Sequence, residues 1–98
     1  MTVSTVTPAH LALGLVFGRR LADAMREYSV AAELEVTLIV TMRSETVLIR
    51  LERNLDDGLV YLEEHVFYDS IGGPSEQAFK AMTMASELLA ALLLKEGP

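Results

Sequence analysis

LEVTLIVTMRSETVLIRLERNLDDGLVYLEEHVFY, residues 34–68, is the stretch whose reading decides the fold. Leu34, Val36, Leu38, Val40 and Met42 share one parity, while Glu33, Glu35, Thr37, Ile39, Thr41 and Arg43 share the other. Successive side chains of an extended chain point to opposite faces, so this alternation predicts a half-buried strand over 33–43. Val47, Ile49 and Leu51 against Thr46, Leu48, Arg50 and Glu52 predict a second strand over 46–53. The run from Leu59 to Tyr68 predicts a third, after a turn in NLDDG at 54–58 whose glycine accepts positive φ.

Short turns make neighbouring strands antiparallel, and directly opposed residues then face the same side of the sheet. Val47, Ile49 and Leu51 must therefore share a face with one parity of the third strand. Choosing Leu59, Tyr61, Glu63, His65 and Phe67 would bury Glu63 and His65 together. The other parity, with Val60, Leu62, Glu64, Val66 and Tyr68, is preferred. It implies a four-residue loop from Leu55 to Gly58 and sets Arg50 opposite Glu63 and Leu48 opposite His65. The first hairpin then sets Ile39 beside Arg50 and Thr41 beside Leu48, and the opposed charges at Arg50 and Glu63 favour this register.

Helices flank the strands. Thr7-Pro8 reads as a capping hydroxyl followed by proline at the first helical position, which starts a helix over 8–28. Residues 1–6 read as a flexible tail. Gly73-Pro74, with Glu76 in the first turn, starts a second helix over 74–95, which Gly97-Pro98 ends. The order helix, strand, strand, strand, helix predicts an α+β two-layer sandwich (αβββα): a three-stranded antiparallel meander with both helices on one face. Residues 1–98 suit one domain.

The helices carry more apolar surface than a sheet alone can cover. In the first, Leu11, Leu13, Leu15, Phe17, Leu21 and Met25 spread over an arc of roughly 200°, and in the second Phe79, Met82, Leu88, Leu89, Leu92 and Leu93 do likewise. Hydrophobic residues make up 51% of the chain, and the mean hydropathy is +0.32. Some of that surplus can be hidden by self-association. The expected oligomer interface comprises Met82, Leu88, Leu89, Leu92 and Leu93 on the second helix.

Gly14 and Gly18 lack the Lys or Ser/Thr and the preceding strand of a phosphate loop. Their spacing fits close approach of a helix to a neighbour, and Ala78, Ala81 and Ala85 form a similar small-residue patch on the second helix. Met25, Met82 and Met84 read as core filling. Asp56-Asp57 reads as turn chemistry rather than a calcium site, which wants six or more oxygens.

The formal charge of -6 is uneven. Residues 1–53 hold six Arg and six acids, whereas residues 54–98 hold two Lys and eight acids. No Lys or Arg lies between Asn54 and Phe79. Such a chain is expected to bind neither nucleic acid nor membrane, since phosphate contacts need clustered cations. The absence of cysteine excludes disulfides and thiolate metal sites, and a cytoplasmic setting is the default. The N-terminus lacks the basic start of a secretory signal, and no uninterrupted apolar run has the length of a membrane span.

No nucleophile constellation or helical metal spacing occurs, so no catalytic residue, metal site or cofactor is assigned. His10, in the first helical turn, reads as structural. What remains is the outer sheet face, where Ile39, Leu48, Tyr61 and Phe67 mix with Arg50, Glu63 and His65. Aliphatic and aromatic anchors in a polar surround suit a partner or ligand surface. The preferred expectation is a non-enzymatic, oligomeric protein-interaction protein of adaptor, chaperone-like or regulatory type. Its partners are copies of itself and, in addition, another protein bound on that face or on the acidic region between Asn54 and Phe79. One alternative is a small-molecule-binding protein or small enzyme with its site around Arg50, Tyr61, Glu63 and His65, which needs a cavity there. The other is an acidic nucleic-acid mimic, against which the high apolar content argues.

Overall fold

The computed structural model describes residues 6–96. Its elements are α1 (Pro8–Ala31), β1 (Thr37–Met42), β2 (Thr46–Leu55), β3 (Gly58–Phe67), a 3-10 turn (Tyr68–Ser70) and α2 (Pro74–Lys95). The sheet runs β1-β2-β3 in chain order, both pairs antiparallel. The register is the one parity required: Ile39 opposite Arg50, Thr41 opposite Leu48, Leu48 opposite His65 and Arg50 opposite Glu63. The fold is thus α+β with the expected element order.

α1 begins where the sequence caps it. The Thr7 hydroxyl accepts from the His10 backbone N–H at 3.2 Å, and Pro8 occupies the first turn. The helix runs past 28 because nothing in Tyr28-Ser29-Val30-Ala31 breaks it. It stops when Glu33 takes φ 57, a left-handed conformation that cannot continue a helix. That turn shortens β1, which starts at Thr37 rather than 33. At the second hairpin Leu55 pairs with Gly58, leaving Asp56-Asp57 as a two-residue turn instead of the expected four-residue loop. Gly58 closes it at φ +142, which side-chain-bearing residues rarely adopt. Tyr68 leaves the strand to open the 3-10 turn. Of the expected tail, residues 1–5 lie outside the described residues, as do Gly97 and Pro98; Val6 packs against the core.

The core lies between the helices and one sheet face. Phe17, Leu21 and Met25 of α1 meet Val47, Ile49 and Leu51 of β2 and Ala85, Leu88 and Leu92 of α2. Each fully buried Leu, Ile or Phe contributes about 1.5–3 kcal/mol. α1 comes close to the sheet at its glycines. A Cβ on Gly14 would lie 2.9 Å from Met42 Cγ and 3.3 Å from Tyr68 Cε1, and one on Gly18 would lie 3.1 Å from Val40 Cγ1. The close approach is therefore to β1, not to the alanine patch of α2. By length and composition α2 could cross a bilayer, with an 18-residue window of mean hydropathy 1.2. Its Leu88, Leu89 and Leu92 are nevertheless buried in the core.

Candidate functional site

The outer sheet face is built by parity. β2, the central strand, turns Val47, Ile49 and Leu51 toward the helices and Thr46, Leu48, Arg50 and Glu52 away from them. β1 adds Thr37, Ile39 and Thr41, and β3 adds Tyr61, Glu63, His65 and Phe67. The pairing makes cross-strand rows: Thr37–Glu52–Tyr61, Ile39–Arg50–Glu63, Thr41–Leu48–His65 and Thr46–Phe67. All seven residues expected on this face are therefore brought together, and among the described residues no helix or strand lies over them. Phe67 is 60% exposed and Ile39 and Tyr61 are 40% exposed.

Arg50 is the hub. Its Nε donates to Glu52 Oε2 at 2.6 Å, its Nη1 lies 3.7 Å from Glu63 Oε2, and its guanidinium carbon sits 3.8 Å above the Tyr61 ring. The hydrogen bond to Glu52, aided by the charges of Glu52 and Glu63, holds Arg50 above the ordinary arginine range. Glu52, two residues along the same strand, is thus the nearer acid, although the cross-strand partner Glu63 was the one expected. One cation is shared by two carboxylates and one ring face, so the cluster keeps a surplus negative charge. His65 stands apart from it, with Nδ1 3.2 Å from Thr46 Oγ1. Its opposite neighbour is Leu48, as expected.

The main cavities lie elsewhere. One of about 380 Å³ lies at the end of β1 and β2, lined by Leu34, Glu35, Glu52 and Arg53. Another of about 410 Å³ lies between Tyr28 and the exposed Phe79 and Met82. None of the cavities found encloses Arg50, Glu63 or His65. Among the described residues, no group of three or more His, Asp or Glu side chains is placed to hold a metal ion.

The α2 positions expected at an oligomer interface divide. Leu88, Leu89 and Leu92 are buried within the protomer, at 7% exposure or less, because packing against α1 and the sheet uses that part of the arc. This placement removes them from any external surface. Met82 and Leu93 remain exposed, and Phe79 and Leu94 are more so.

Several structural contacts gave no sequence pattern. Arg53 Nη1 donates to both carboxylate oxygens of Glu96 at 2.8 Å, pinning the last turn of α2 to β2. Lys95 Nζ donates to the Tyr61 carbonyl at 2.7 Å. The buried Tyr68 donates its hydroxyl to the Arg43 carbonyl at 2.7 Å and stacks on His10 with ring centroids 4.3 Å apart. Burial pushes the Tyr68 phenol above its ordinary pKa. Comparison with known protein families, curated proteins and solved structures finds no match for the chain.

Proposed function

We propose that this chain is a non-enzymatic, oligomeric protein-interaction protein of adaptor, chaperone-like or regulatory type, whose outer sheet face receives a partner protein. The observation that supports this reading is the open face itself. Ile39, Leu48, Tyr61 and Phe67 stand on it among Arg50, Glu52, Glu63 and His65. Interfaces combine aromatic and aliphatic anchors with a polar rim in this way. Arg50 is already paired with Glu52 and Glu63, so it orients a partner without needing a substrate to neutralise it. The Lys- and Arg-free segment from Asn54 to Phe79 supplies Glu63 to this face and favours a partner with a basic rim.

The test is native mass spectrometry of the protein purified from the cells that make it. The expected result is a co-purifying protein that is lost from a Tyr61→Ser/Phe67→Ser variant with an unchanged thermal midpoint. Retention of a small molecule instead, lost on His65→Ala or Glu63→Gln, would overturn the reading in favour of a ligand-binding site.

A further inference from the structure

β1 is an edge strand; among the described residues it is paired only with β2. The hydrogen bond from the Arg43 N–H to the Thr46 carbonyl fixes the phase of that ladder. Thr37, Ile39 and Thr41 therefore turn their backbone polar groups toward β2, and Leu38, Val40 and Met42 turn theirs outward. The side chains of those three, with Gly14, Gly18, Leu15 and the charged Arg19 of α1, line a groove of about 260 Å³ between β1 and α1. Leu15 is more than half exposed. Natural edge strands are blunted by lysine, proline, bulges or inward charges. Thr37–Met42 carries no charged residue or proline and no bulge interrupts its pairing.

We propose that the occupant of this edge is β1 of a second copy, running antiparallel, with the two-fold axis at Ile39. The proposal rests on the self-association in the function proposed above and specifies its geometry. Its ground is the self-complementarity of residues 35–43, EVTLIVTMR. About Ile39, Thr37 falls opposite Thr41 of the second copy, Leu38 opposite Val40, Val36 opposite Met42, and Glu35 opposite Arg43. Alternating exposure continues from Met42 back to Leu34, so the extended pattern reaches Glu35. Glu35 and Arg43 flank β1, are both exposed and share the parity of the outer face, and the two-fold creates their ion pair twice.

The neighbouring registers are worse. Centring on Val40 sets Glu35 against Glu45. Centring on Leu38 sets Glu35 against Thr41 and sends Arg43 to Glu33, which sits in a left-handed turn. Like charges directly opposed destabilise a ladder, whereas opposite charges and Thr–Thr pairs stabilise it. In the Ile39 register Leu38 exchanges both backbone bonds with Val40 of the second copy, satisfying the outward groups. Two meanders become one six-stranded sheet, and the two α1 helices, each bearing Leu15, flank the closed groove.

The absence of cysteine makes the test direct. Opposed residues at the axis form a non-hydrogen-bonded pair with Cα atoms about 4.5 Å apart, within disulfide range. Mild oxidation of Ile39→Cys is expected to give a covalent dimer, and Phe67→Cys on the opposite edge is expected not to. In sedimentation equilibrium of the full chain, Ile39→Glu and Glu35→Arg are each expected to raise the dissociation constant about tenfold or more. The Glu35→Arg/Arg43→Glu exchange is expected to restore it. A dimer indifferent to these substitutions would overturn the β1 pairing and leave self-association standing. A monomer at high micromolar concentration would overturn both. A monomer whose Leu38 and Val40 amides lose hydrogen-exchange protection when residues 1–5 are deleted would assign the edge to the chain's own N-terminus, overturning the proposal.

Discussion

The two edges of the sheet are opposites. β3 carries Glu63, Glu64 and His65 in succession, and Lys95 reaches from the end of α2 to occupy the outward carbonyl of Tyr61. β1 presents Thr-Leu-Ile-Val-Thr-Met and leaves its outward groups unpaired among the described residues. Charge and a covering lysine are what natural sheets use to prevent edge pairing. The β3 edge has both, and Thr37–Met42 of β1 carries neither, so the β1 pairing proposed above would fall on one side of the sheet only.

The comparison can be broken most severely at α1. Gly14→Leu would force a side chain into Met42 and Tyr68, lifting the helix from β1. Overpacking of this kind costs about 3 kcal/mol, to be read as a lower urea midpoint together with altered oligomeric state. An unchanged midpoint and oligomeric state would show that Gly14 does not pack against Met42 and Tyr68.

The guarded edge depends on the last turn of α2. Glu96→Gln would weaken the grip of Arg53, whose side chain is 25% exposed, and is expected to cost about 1 kcal/mol, since hydrogen bonds to charged groups are worth about 1.5–3 kcal/mol when well buried. Thermal unfolding measures this. A larger loss in high salt than in low salt would contradict an ionic origin.

Tyr68 links the two edges, since it ends β3 and holds the hairpin that leaves β1. Tyr68→Phe is expected to cost about 1 kcal/mol at neutral pH. Its folded pKa is raised, so the neutral phenol is the form the fold favours. That contribution is complete below about pH 10 and is lost as pH rises through the folded value. Alkaline denaturation of the native chain should therefore steepen above pH 10, and Tyr68→Phe should flatten it. The smallest effect is expected from Lys95→Ala: about 0.5 kcal/mol or less in stability. Light scattering should nonetheless show more association through the uncovered β3.

Much of this was legible from side-chain parity. The alternation in 34–68 fixes which residues share a face, and avoiding a buried Glu63–His65 pair fixes the register. The turn length escaped because a two-residue and a four-residue loop leave that register unchanged; they differ only in whether Leu55 and Gly58 pair. The helical wheel revealed that α2 has surplus apolar surface, but it could not say which part α1 would cover. Leu88, Leu89 and Leu92 were consequently placed outside when packing puts them inside. Likewise, Gly14 and Gly18 announce a close neighbour without saying that it is β1. Arg53 and Glu96 are 43 residues apart, a separation at which no local periodicity operates. The self-complementarity of 35–43 is visible in the letters, but it acquires meaning only once β1 is known to be an edge.

Because the sheet follows chain order, its two hairpins close through connections of only a few residues, whereas α1 and α2 must meet across the whole meander. Local contacts form with little loss of chain entropy and distant ones with more. The β2–β3 ribbon, closed by Asp56-Asp57, is therefore expected to form first and the terminal helices to dock later. Substitutions in that ribbon should slow folding, whereas those between α1 and α2 should chiefly hasten unfolding. During synthesis the complete sheet emerges before α2, so β1, an edge strand among the described residues, is exposed before the chain is finished. A partner strand has its best opportunity then, which would let assembly begin before the chain has finished folding.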